Sequence, residues 1–308
     1  TINSGCVRNR GYELEITATP VLTRDFRWNT TLTWSKNDNK ILSLAEGADE
    51  NQVISTVGTA SIIGRVGGTT GDLWGYKLVR DPEGNVVIGD NGLPEQADEI
   101  EYVGTAYADW KAGWYNEFSY KGFKLGILLD GQVGGTIYSM SFHKMMEQGK
   151  LTQSLNGRLP GTEYYMDASD PRIAAAGYTP QSGMYMIAPG VVRNDDGTFS
   201  PNTKVVTIES FYKEYYRRAN VETNSFDASF LKIREIRLEY ELPKKVLEKS
   251  PFSKASIAVY GRNLWCFTDY PLFDPESVAL DGSSMVSGIE TGSLPTTRTF
   301  GFNLNLTF

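Results

Sequence analysis

The chain has 308 residues, of which 40% are hydrophobic and 22% are charged. This composition is typical of an ordered protein and excludes a disordered or collagen-like chain. Acidic residues outnumber Lys and Arg by 37 to 30 and no cationic run occurs, so nucleic acid is not expected as a partner. No stretch approaches the roughly 18 uninterrupted apolar residues of a membrane-spanning helix, which excludes an α-helical membrane protein.

Seven segments alternate apolar and polar residues with a period of two, the pattern of β-strands whose two faces meet different surroundings. In chain order they are 12–18, 26–35, 110–120, 123–133, 236–242, 255–265 and 300–308. About ten residues is the length at which a tilted strand crosses a bilayer. Weaker strand candidates lie at 53–66, 76–88 and 185–192.

The connections between these predicted strands are very unequal in length. Short links lie at Asp25, at 121–122 and at 243–253, whereas 143–225 is a long polar excursion. Short turns on one side and long loops on the other are typical of bacterial outer-membrane barrels. We therefore predict an all-β fold, a transmembrane antiparallel β-barrel in which 143–225 forms a long extracellular loop region.

Short helices are predicted inside this loop region. Asp170 is a capping residue, Pro171 suits the first helical position, and the helix then covers 172–176. A second helix is predicted at 209–218, where Glu214 and Arg218 are spaced for an ion pair. Tight turns are predicted at 81–84 and 195–197.

Alternation alone does not distinguish a membrane barrel from a soluble sandwich, which also has one apolar and one polar face. Three features favour the barrel. Charges on the polar faces have mixed signs, as in an aqueous lumen, and the chain ends within a strand on Phe308. Aromatic residues also gather toward the strand ends, as in membrane-interface girdles: Trp28, Trp34, Trp110, Trp114, Trp265 and Tyr270.

Several sequence blocks resemble one known family in both content and order. The blocks are 226–236 (FDASFLKIREI), 260–264 (YGRNL), 274–276 (DPE), 295–300 (PTTRTF) and, upstream, 8–14 (RNRGYEL), 71–76, 120–123 (YKGF) and 131–135 (GQVGG). They are similar to the C-terminal part of SusC/RagA-type TonB-dependent outer-membrane transporters of Bacteroidota. The chain departs from that pattern at Arg262, where the family has Gln, and at 265–267 and 271–273.

The resemblance implies that 1–308 is the C-terminal portion of a barrel of roughly 22 strands. A TonB box and a plug domain, which family members carry, are absent from this chain, and no signal-peptide pattern precedes Thr1, so we expect a processed chain or a fragment. The remaining strands and the plug are then expected on another chain or in missing sequence. The open edges of a partial sheet support this, because unpaired backbone groups in lipid cost several kcal/mol each.

The resemblance also implies a function and partners. The expected function is active import of oligosaccharides or peptides across the outer membrane of a Gram-negative bacterium. The expected partners are the lipid bilayer, a SusD-like surface lipoprotein that closes over the barrel, and the TonB complex acting through the plug. No cofactor is expected.

Three groups of residues are candidates for functional roles. Loop aromatics expected to be exposed are candidate ligand contacts, although packing of loop against loop is the simpler interpretation: Trp74, Tyr76, Tyr164, Tyr165, Tyr185, Tyr212, Tyr215 and Tyr216. The charged face of one strand is expected to line the lumen: Glu235, Arg237, Glu239 and Glu241. Phe308 resembles the terminal aromatic signal by which outer-membrane barrels are assembled.

Enzyme functions find little support. His143 is the single histidine, and no nucleophile motif accompanies it. Acidic pairs such as Glu99 with Glu101 and Asp195 with Asp196 suit a glycosidase, but solvated loop charge is by far the better explanation of them. The cysteines Cys6 and Cys266 lie far apart and indicate no metal site. We therefore expect no catalytic residue and no metal, and the alternative function is a soluble or surface carbohydrate-binding or adhesin β-protein.

Overall fold

The computed structural model describes residues 5–277, 279–281 and 284–308, so positions 1–4 of the predicted barrel portion lie outside the described residues. Twenty strands are assigned in these ranges. In chain order they are β1 (Cys6–Leu22), β2 (Phe26–Ser43), β3 (Gln52–Val57), β4 (Ala60–Gly64), β5 (Asp72–Gly75), β6 (Glu101–Thr105), β7 (Trp110–Tyr120), β8 (Phe123–Val133), β9 (Thr136–Ser139), β10 (Tyr185–Ile187), β11 (Val191–Arg193), β12 (Phe199–Pro201), β13 (Val205–Thr207), β14 (Ser225–Asp227), β15 (Phe230–Glu241), β16 (Lys254–Phe267), β17 (Ala279–Asp281), β18 (Ser284–Val286), β19 (Ile289–Glu290) and β20 (Thr299–Thr307).

Helices are few and short. They are α1 (Met140–Glu147), α2 (Pro171–Ala175), α3 (Ile208–Tyr215) and α4 (Lys244–Leu247), with 3-10 turns at Thr152–Leu155 and Glu222–Asn224. In the part of the chain that the structure describes, no helix has the length and apolar character needed to span a membrane.

Seven long strands form one antiparallel sheet in the order β1-β2-β7-β8-β15-β16-β20. These are the seven strands that the alternation predicts. The sheet is open: within the described residues β1 pairs with β2 alone, and β20 pairs with β16 alone. The weaker candidates do not enlarge it. The 53–66 segment forms β3 and β4 of a separate four-stranded sheet, 185–192 contributes to two small two-stranded sheets, and 76–88 makes only isolated bridges.

The strand register aligns the apolar residues of all seven strands on one face. One row across the sheet runs through Ile16, Leu32, Trp114, Leu129, Ile233 and Trp265. A row nearer the short turns runs through Phe26, Tyr120, Phe123, Tyr240, Ile257 and Leu304. Most of these side chains are exposed or half-buried. The apolar face therefore does not form the interior of a sandwich.

Aromatic side chains lie at both ends of this apolar band. The segment from the row of Phe26 to the row of Trp34 has nine residues along β2. A tilted strand crosses the apolar core of a membrane with about 9–11 residues, so the segment has a suitable length. Trp34 and Trp114 lie in the upper rows. The prediction that Tyr270 belongs to such a girdle is wrong. Tyr270 is buried in a loop core against Phe226, outside the large sheet. Its neighbours in that core are distant in sequence, so the local sequence pattern does not reveal its burial.

One polar step interrupts the apolar face, and its groups satisfy one another. Asn116 is only 5% exposed, and its side-chain oxygen accepts hydrogen bonds from the indole of Trp28 and from the hydroxyl of Thr30, both at 3.0 Å. The indole of Trp114 donates to the same hydroxyl at 2.8 Å. The two tryptophans thus cover a polar pair that lipid could not solvate.

Replacing Asn116 with leucine is expected to destabilise the sheet by about 1–3 kcal/mol, because the Trp28 N–H loses its acceptor on an apolar face. Thermal unfolding in detergent micelles, read from the mobility shift of the folded protein on gels, measures the change. The double variant Trp28→Phe/Asn116→Leu should recover stability, since it removes donor and acceptor together. Equal stabilities of the single and double variants would contradict this account.

The connections divide by length between the two edges of the sheet, as expected. Links at 23–25, 121–122 and 242–253 join strands at one edge, which we call the turn edge. Connections at 44–109, 134–229 and 268–298 lie at the other edge, which we call the loop edge. Lys121 and Gly122 have φ values of 45° and 87°, the conformation of a two-residue hairpin turn.

The predicted helices form with small differences. Asp170 caps α2 by accepting a hydrogen bond from the Arg172 backbone N–H at 2.9 Å, as predicted. The predicted pair between Glu214 and Arg218 is wrong. Because α3 ends at Tyr215, the spacing of four residues no longer places those side chains together, and Glu214 contacts Arg217 at 2.8 Å.

The hydrophobic core lies in the loops rather than in the large sheet. The largest buried cluster joins α1 to α3 through Phe142, Met146 and Phe211. A second cluster packs β4 and β5 against β9 and β19. The loop-edge connections are therefore packed structures with their own interior.

β2 continues beyond Trp34 to Ser43 and holds the small sheet β3-β4-β5-β6. The Ile41 backbone N–H donates to the Gly68 carbonyl at 2.8 Å, and the Ile41 carbonyl accepts from Gly67 at 2.9 Å. The Asn39 side chain accepts from the Thr70 backbone N–H at 2.8 Å. This segment of β2 joins the large seven-stranded sheet, which we call the wall sheet, to the first long loop.

Candidate functional site

Two of the aromatic candidates are buried, so the expectation that they are exposed is wrong. Tyr185 is 8% exposed, stacks on Tyr178 and donates its hydroxyl to the Thr179 carbonyl at 2.9 Å. Tyr212 is 7% exposed and donates to the carbonyls of two residues in the neighbouring loop, at 3.0 and 3.1 Å. Backbone acceptors make both hydroxyls compatible with burial, and no sequence pattern reveals them.

Tyr164, Tyr215 and Tyr216 are half-buried around the same α1–α3 core. Their rings contact Phe211 or Tyr212 in stacked, tilted or edge-on arrangements with centroid distances of 5.3–6.5 Å. Burial raises the pKa of Tyr212 to about 12, so its phenol stays protonated at neutral pH. This arrangement matches the interpretation that these rings pack loop against loop.

The other aromatic candidates lie apart from that core. Trp74 is half-buried on β5, with the Arg65 guanidinium 4.8 Å from the ring centre and Tyr102 packed edge-on at 6.0 Å. Tyr76 follows β5, and its carbonyl accepts from the Val221 backbone N–H at 3.0 Å. Tyr165 is half-buried. The structure therefore does not bring the aromatic candidates together in one site.

The charged face of β15 forms ion pairs along its whole length. Glu235 accepts from Arg262 at 2.6 Å, and Arg237 donates to Glu239 at 2.6 Å. Glu241 lies 3.7 Å from Lys124 on the neighbouring strand. All of these side chains are on the face opposite to the apolar band, where mixed-sign pairs need water or a polar partner around them.

A further group of charges, missed by the sequence analysis, lies where β8 and β15 meet the 268–298 connection. The Lys232 ammonium donates to Asp274 at 2.6 Å and also contacts Glu276. Arg234 donates to Asp130 at 2.7 Å and to Glu276 at 2.6 Å. We call these five residues the loop-edge cluster.

The centre of the loop-edge cluster is shielded from water. The Lys232 and Asp274 side chains are 4% and 3% exposed, and the Phe230 ring centre lies 4.6 Å from the Lys232 ammonium. Thr296 donates to Asp274 at 2.8 Å. Burial acts to raise the pKa of Asp274, but hydrogen bonds from Lys232, from the Glu276 backbone and from Thr296 outweigh it and hold that pKa below its usual value.

The cluster joins two of the sequence blocks that carry the family resemblance. Lys232 and Arg234 come from the 226–236 block, and Asp274 and Glu276 form the ends of the 274–276 block. The sequence signal that could have indicated the cluster is the spacing of its charges. The two cations are two residues apart, and so are the two carboxylates. Their pairing over 42 residues depends on the loop path, which alternation does not predict.

His143 has a structural role in the loop core. Its ring is 1% exposed, and Nδ1 contacts the Tyr216 carbonyl at 2.6 Å at the end of α3. Burial lowers the pKa of His143, which favours the neutral ring with Nδ1–H as donor. Nε2 faces the Glu147 carboxylate at 3.7 Å. The imidazole therefore holds the end of a helix and has none of the geometry of a nucleophile's base.

The segment at 81–85 is a turn, as predicted. Both carboxylate oxygens of Asp81 accept hydrogen bonds from Asn85, one from the backbone at 2.7 Å and one from the side chain at 2.9 Å. Phe308 lies at the turn edge after β20, largely exposed, with its ring 5.0 Å from that of Phe252.

Comparison with known proteins identifies similar chains. No protein-family model matches. The chain is 26% identical to TonB-dependent receptor P3 of Formosa agariphila, over 99% of this chain and 29% of that receptor, and 24% identical to TonB-dependent receptor P26 of the same organism, over 99% and 30%. TonB-dependent receptor SusC of Bacteroides thetaiotaomicron is 25% identical over 45% of this chain and 15% of its own length.

A solved structure shares the fold. The RagAB peptide importer in its closed-closed state superposes with a TM-score of 0.63 at 16% sequence identity, covering 99% of this chain and 30% of that one. At this identity the likeness concerns the fold alone. The chain spans less than a third of the length of the relatives that it matches from end to end.

Proposed function

Since the chain is related to SusC/RagA-type TonB-dependent receptors, we propose that it forms part of the wall and the extracellular loops of an outer-membrane importer in a Gram-negative bacterium. The imported solutes are large nutrients, either oligosaccharides or peptides. The chain carries no catalytic residue in this function.

The observation that carries the proposal is the division of the seven-stranded sheet into two unlike faces. One face presents continuous apolar rows that remain exposed, such as those of Leu32 and Tyr120, and the opposite face carries ion pairs such as Glu235 with Arg262. In water the apolar face would be a large unfavourable surface. In a membrane wall it contacts lipid, while the charged face encloses an aqueous lumen.

The open sheet is completed, in this proposal, by strands outside the described residues. Each edge strand needs a partner, since unpaired backbone groups in lipid cost several kcal/mol each. A barrel of roughly 22 strands provides a lumen wide enough for a plug and a large solute. The plug, and its contact with the TonB complex, belong to another chain or to sequence beyond 1–308.

Each proposed role is assigned to particular regions. The 143–225 region is extracellular and contacts a SusD-like lipoprotein. Glu235, Arg237, Glu239 and Glu241 line the lumen, and Phe308 is the assembly signal. Among the aromatic candidates, those that are not buried and lie outside the α1–α3 core are proposed to contact solutes: Trp74, Tyr76 and Tyr165.

An epitope tag placed in each edge of the sheet tests the membrane topology. A tag in the exposed turn at 195–197 should bind antibody on intact cells, whereas a tag in the 243–253 link should bind only after the outer membrane is permeabilised. A surface adhesin anchored outside the cell would expose both tags.

Transport itself is tested by the uptake of a labelled nutrient mixture into cells. We expect this uptake to be abolished when the proton gradient is collapsed. Uptake that persists without the gradient would contradict active import.

A further inference from the structure

A cavity of about 720 Å³ lies at the loop edge, between the wall sheet and the small sheet β3-β4-β5-β6. Its volume falls in the range of small-molecule sites. Ser35 and Lys111, which are cross-strand partners on β2 and β7, form the wall on the charged face of the large sheet. The small sheet provides an opposing apolar wall that includes Ile54 and Ile62. The cavity therefore has one polar and one aliphatic side.

The polar side is held by a chain of hydrogen bonds. Thr70 donates to Asn39, and the hydroxyls of Thr70 and Tyr107 lie 2.7 Å apart. Asn39 in turn donates to Asn9 at 2.9 Å. The Tyr107 ring lies against Gly71, where an added Cβ would approach the ring to 3.0 Å. These contacts fix hydroxyl groups at the cavity before any ligand enters.

Lys111 is the one charged side chain among the described residues that line this cavity. Nearby acidic groups are engaged elsewhere: Asp130 pairs with Arg234 at 2.6 Å, and Asp38 lies 3.8 Å from Arg8. Glu13 lies opposite Ser35 on β1 and faces an adjoining groove together with Glu15, and Lys111 borders both this groove and the cavity. Of the described residues that line the cavity itself, Lys111 alone carries a charge, and that charge is positive.

The geometry points to this cavity as a subsite for a carboxylate group of the imported solute. The Lys111 ammonium holds the carboxylate, the side chains of Ser35 and Asn37 complete its hydrogen bonds, and the aliphatic wall receives the adjoining apolar part of the solute. This inference rests on the proposed import function and narrows its substrate to acidic solutes. A carboxylate of this kind comes from a peptide C-terminus or from a uronic acid.

Calorimetric binding to the full transporter that contains this chain, purified in detergent, tests the subsite. The probes are trialanine, its C-terminal amide, a trigalacturonate and a neutral trisaccharide. We expect one of the two acidic probes to bind, and its neutral counterpart to bind at least about tenfold more weakly, because a charge-assisted hydrogen bond is lost. Binding of trialanine identifies peptides as the source, and binding of trigalacturonate identifies acidic sugars.

Variants then assign the effect to Lys111. Lys111→Gln should weaken the acidic probe by about tenfold, and Lys111→Arg should restore binding. Lys254→Gln is the matched control, because Lys254 is exposed on the same face of the sheet but at the turn edge. Wild-type affinity in Lys111→Gln, equal binding of neutral probes, or no binding of any probe overturns the subsite. Nutrient uptake by cells is measured separately. If uptake depends on the proton gradient while Lys111→Gln binds the acidic probe with wild-type affinity, the subsite is refuted and the import function is not.

Discussion

Replacing Leu32 with arginine is expected to prevent stable insertion of the protein or to cost about 1–3 kcal/mol, since a cation on the lipid face of a barrel strand costs ~2–4 kcal/mol at the bilayer midplane and less toward the interfaces. Leu32 lies in the upper half of the apolar band, between Ile16 and Trp114 in the same row. Folding into lipid vesicles, followed by urea titration and gel mobility, measures the loss. No residue in its row carries an opposite charge with which the arginine could pair.

Thr33→Arg is the matched control. Thr33 is the next residue on β2, so its side chain lies on the charged face of the sheet, where Glu15 is its cross-strand partner. We expect its stability to stay within about 0.5 kcal/mol of the parent, as for an ordinary surface substitution. The comparison also separates the barrel from the soluble alternative. In a soluble adhesin both positions are water-exposed, so similar small effects at Leu32 and Thr33 would falsify the lipid-facing assignment.

Replacing Lys232 with methionine is expected to destabilise the protein by about 3–5 kcal/mol, because it leaves the buried carboxylate of Asp274 without its cation. The 268–298 connection should lose protection at the same time, since the loop-edge cluster ties it to β15. Thermal unfolding reports the first effect. Hydrogen exchange of peptides from 268–298 reports the second.

Two further variants make the Lys232 result specific. Lys213→Met removes an exposed helical pair with Glu209 and should change stability by about 0.5 kcal/mol or less. Lys232→Met/Asp274→Leu should be more stable than Lys232→Met alone, because no unpaired charge then stays buried at the centre of the loop-edge cluster. Unchanged exchange in 268–298 after Lys232→Met would show that the cluster does not hold the loop.

Acid should release the same connection through Asp274. Its pKa in the folded state is below the ordinary 3.8, so the carboxylate stabilises the fold fully above about pH 3.8. That contribution is lost as the pH falls through the lowered pKa. The protection of 268–298, expressed relative to the slower chemical exchange at low pH, should therefore fall below about pH 3.8, and Asp274→Asn should remove this acid-dependent step.

The alternation of residues predicted the wall sheet well because each strand carries its own signal. In β20 the apolar positions from Phe300 to Leu306 identify the strand without knowledge of its neighbours. The cap of α2 was likewise predictable, since Asp170 and Pro171 act on the adjacent turn. Both features depend on residues that are close in sequence.

Features that depend on distant contacts were not predictable in the same way. Tyr212 looks like an exposed loop residue until the carbonyls of Gln153 and Asn156 are placed beside its hydroxyl. The pairing of Lys232 with Asp274 and the cavity at Lys111 likewise require the paths of long loops. The family resemblance supplied the architecture, but it did not supply these contacts.

The continuation of β2 past the apolar band has a mechanical consequence. Ile41 and Asn39 join the small sheet to a strand whose lower half belongs to the wall, so a load applied to the outer loop passes into the wall through backbone hydrogen bonds. In the proposed importer, this connection would transmit force from a covering lipoprotein to the wall without itself unfolding. The hairpin of β1 and β2 would be anchored in the bilayer and would support the solute-facing surface of the outer loops.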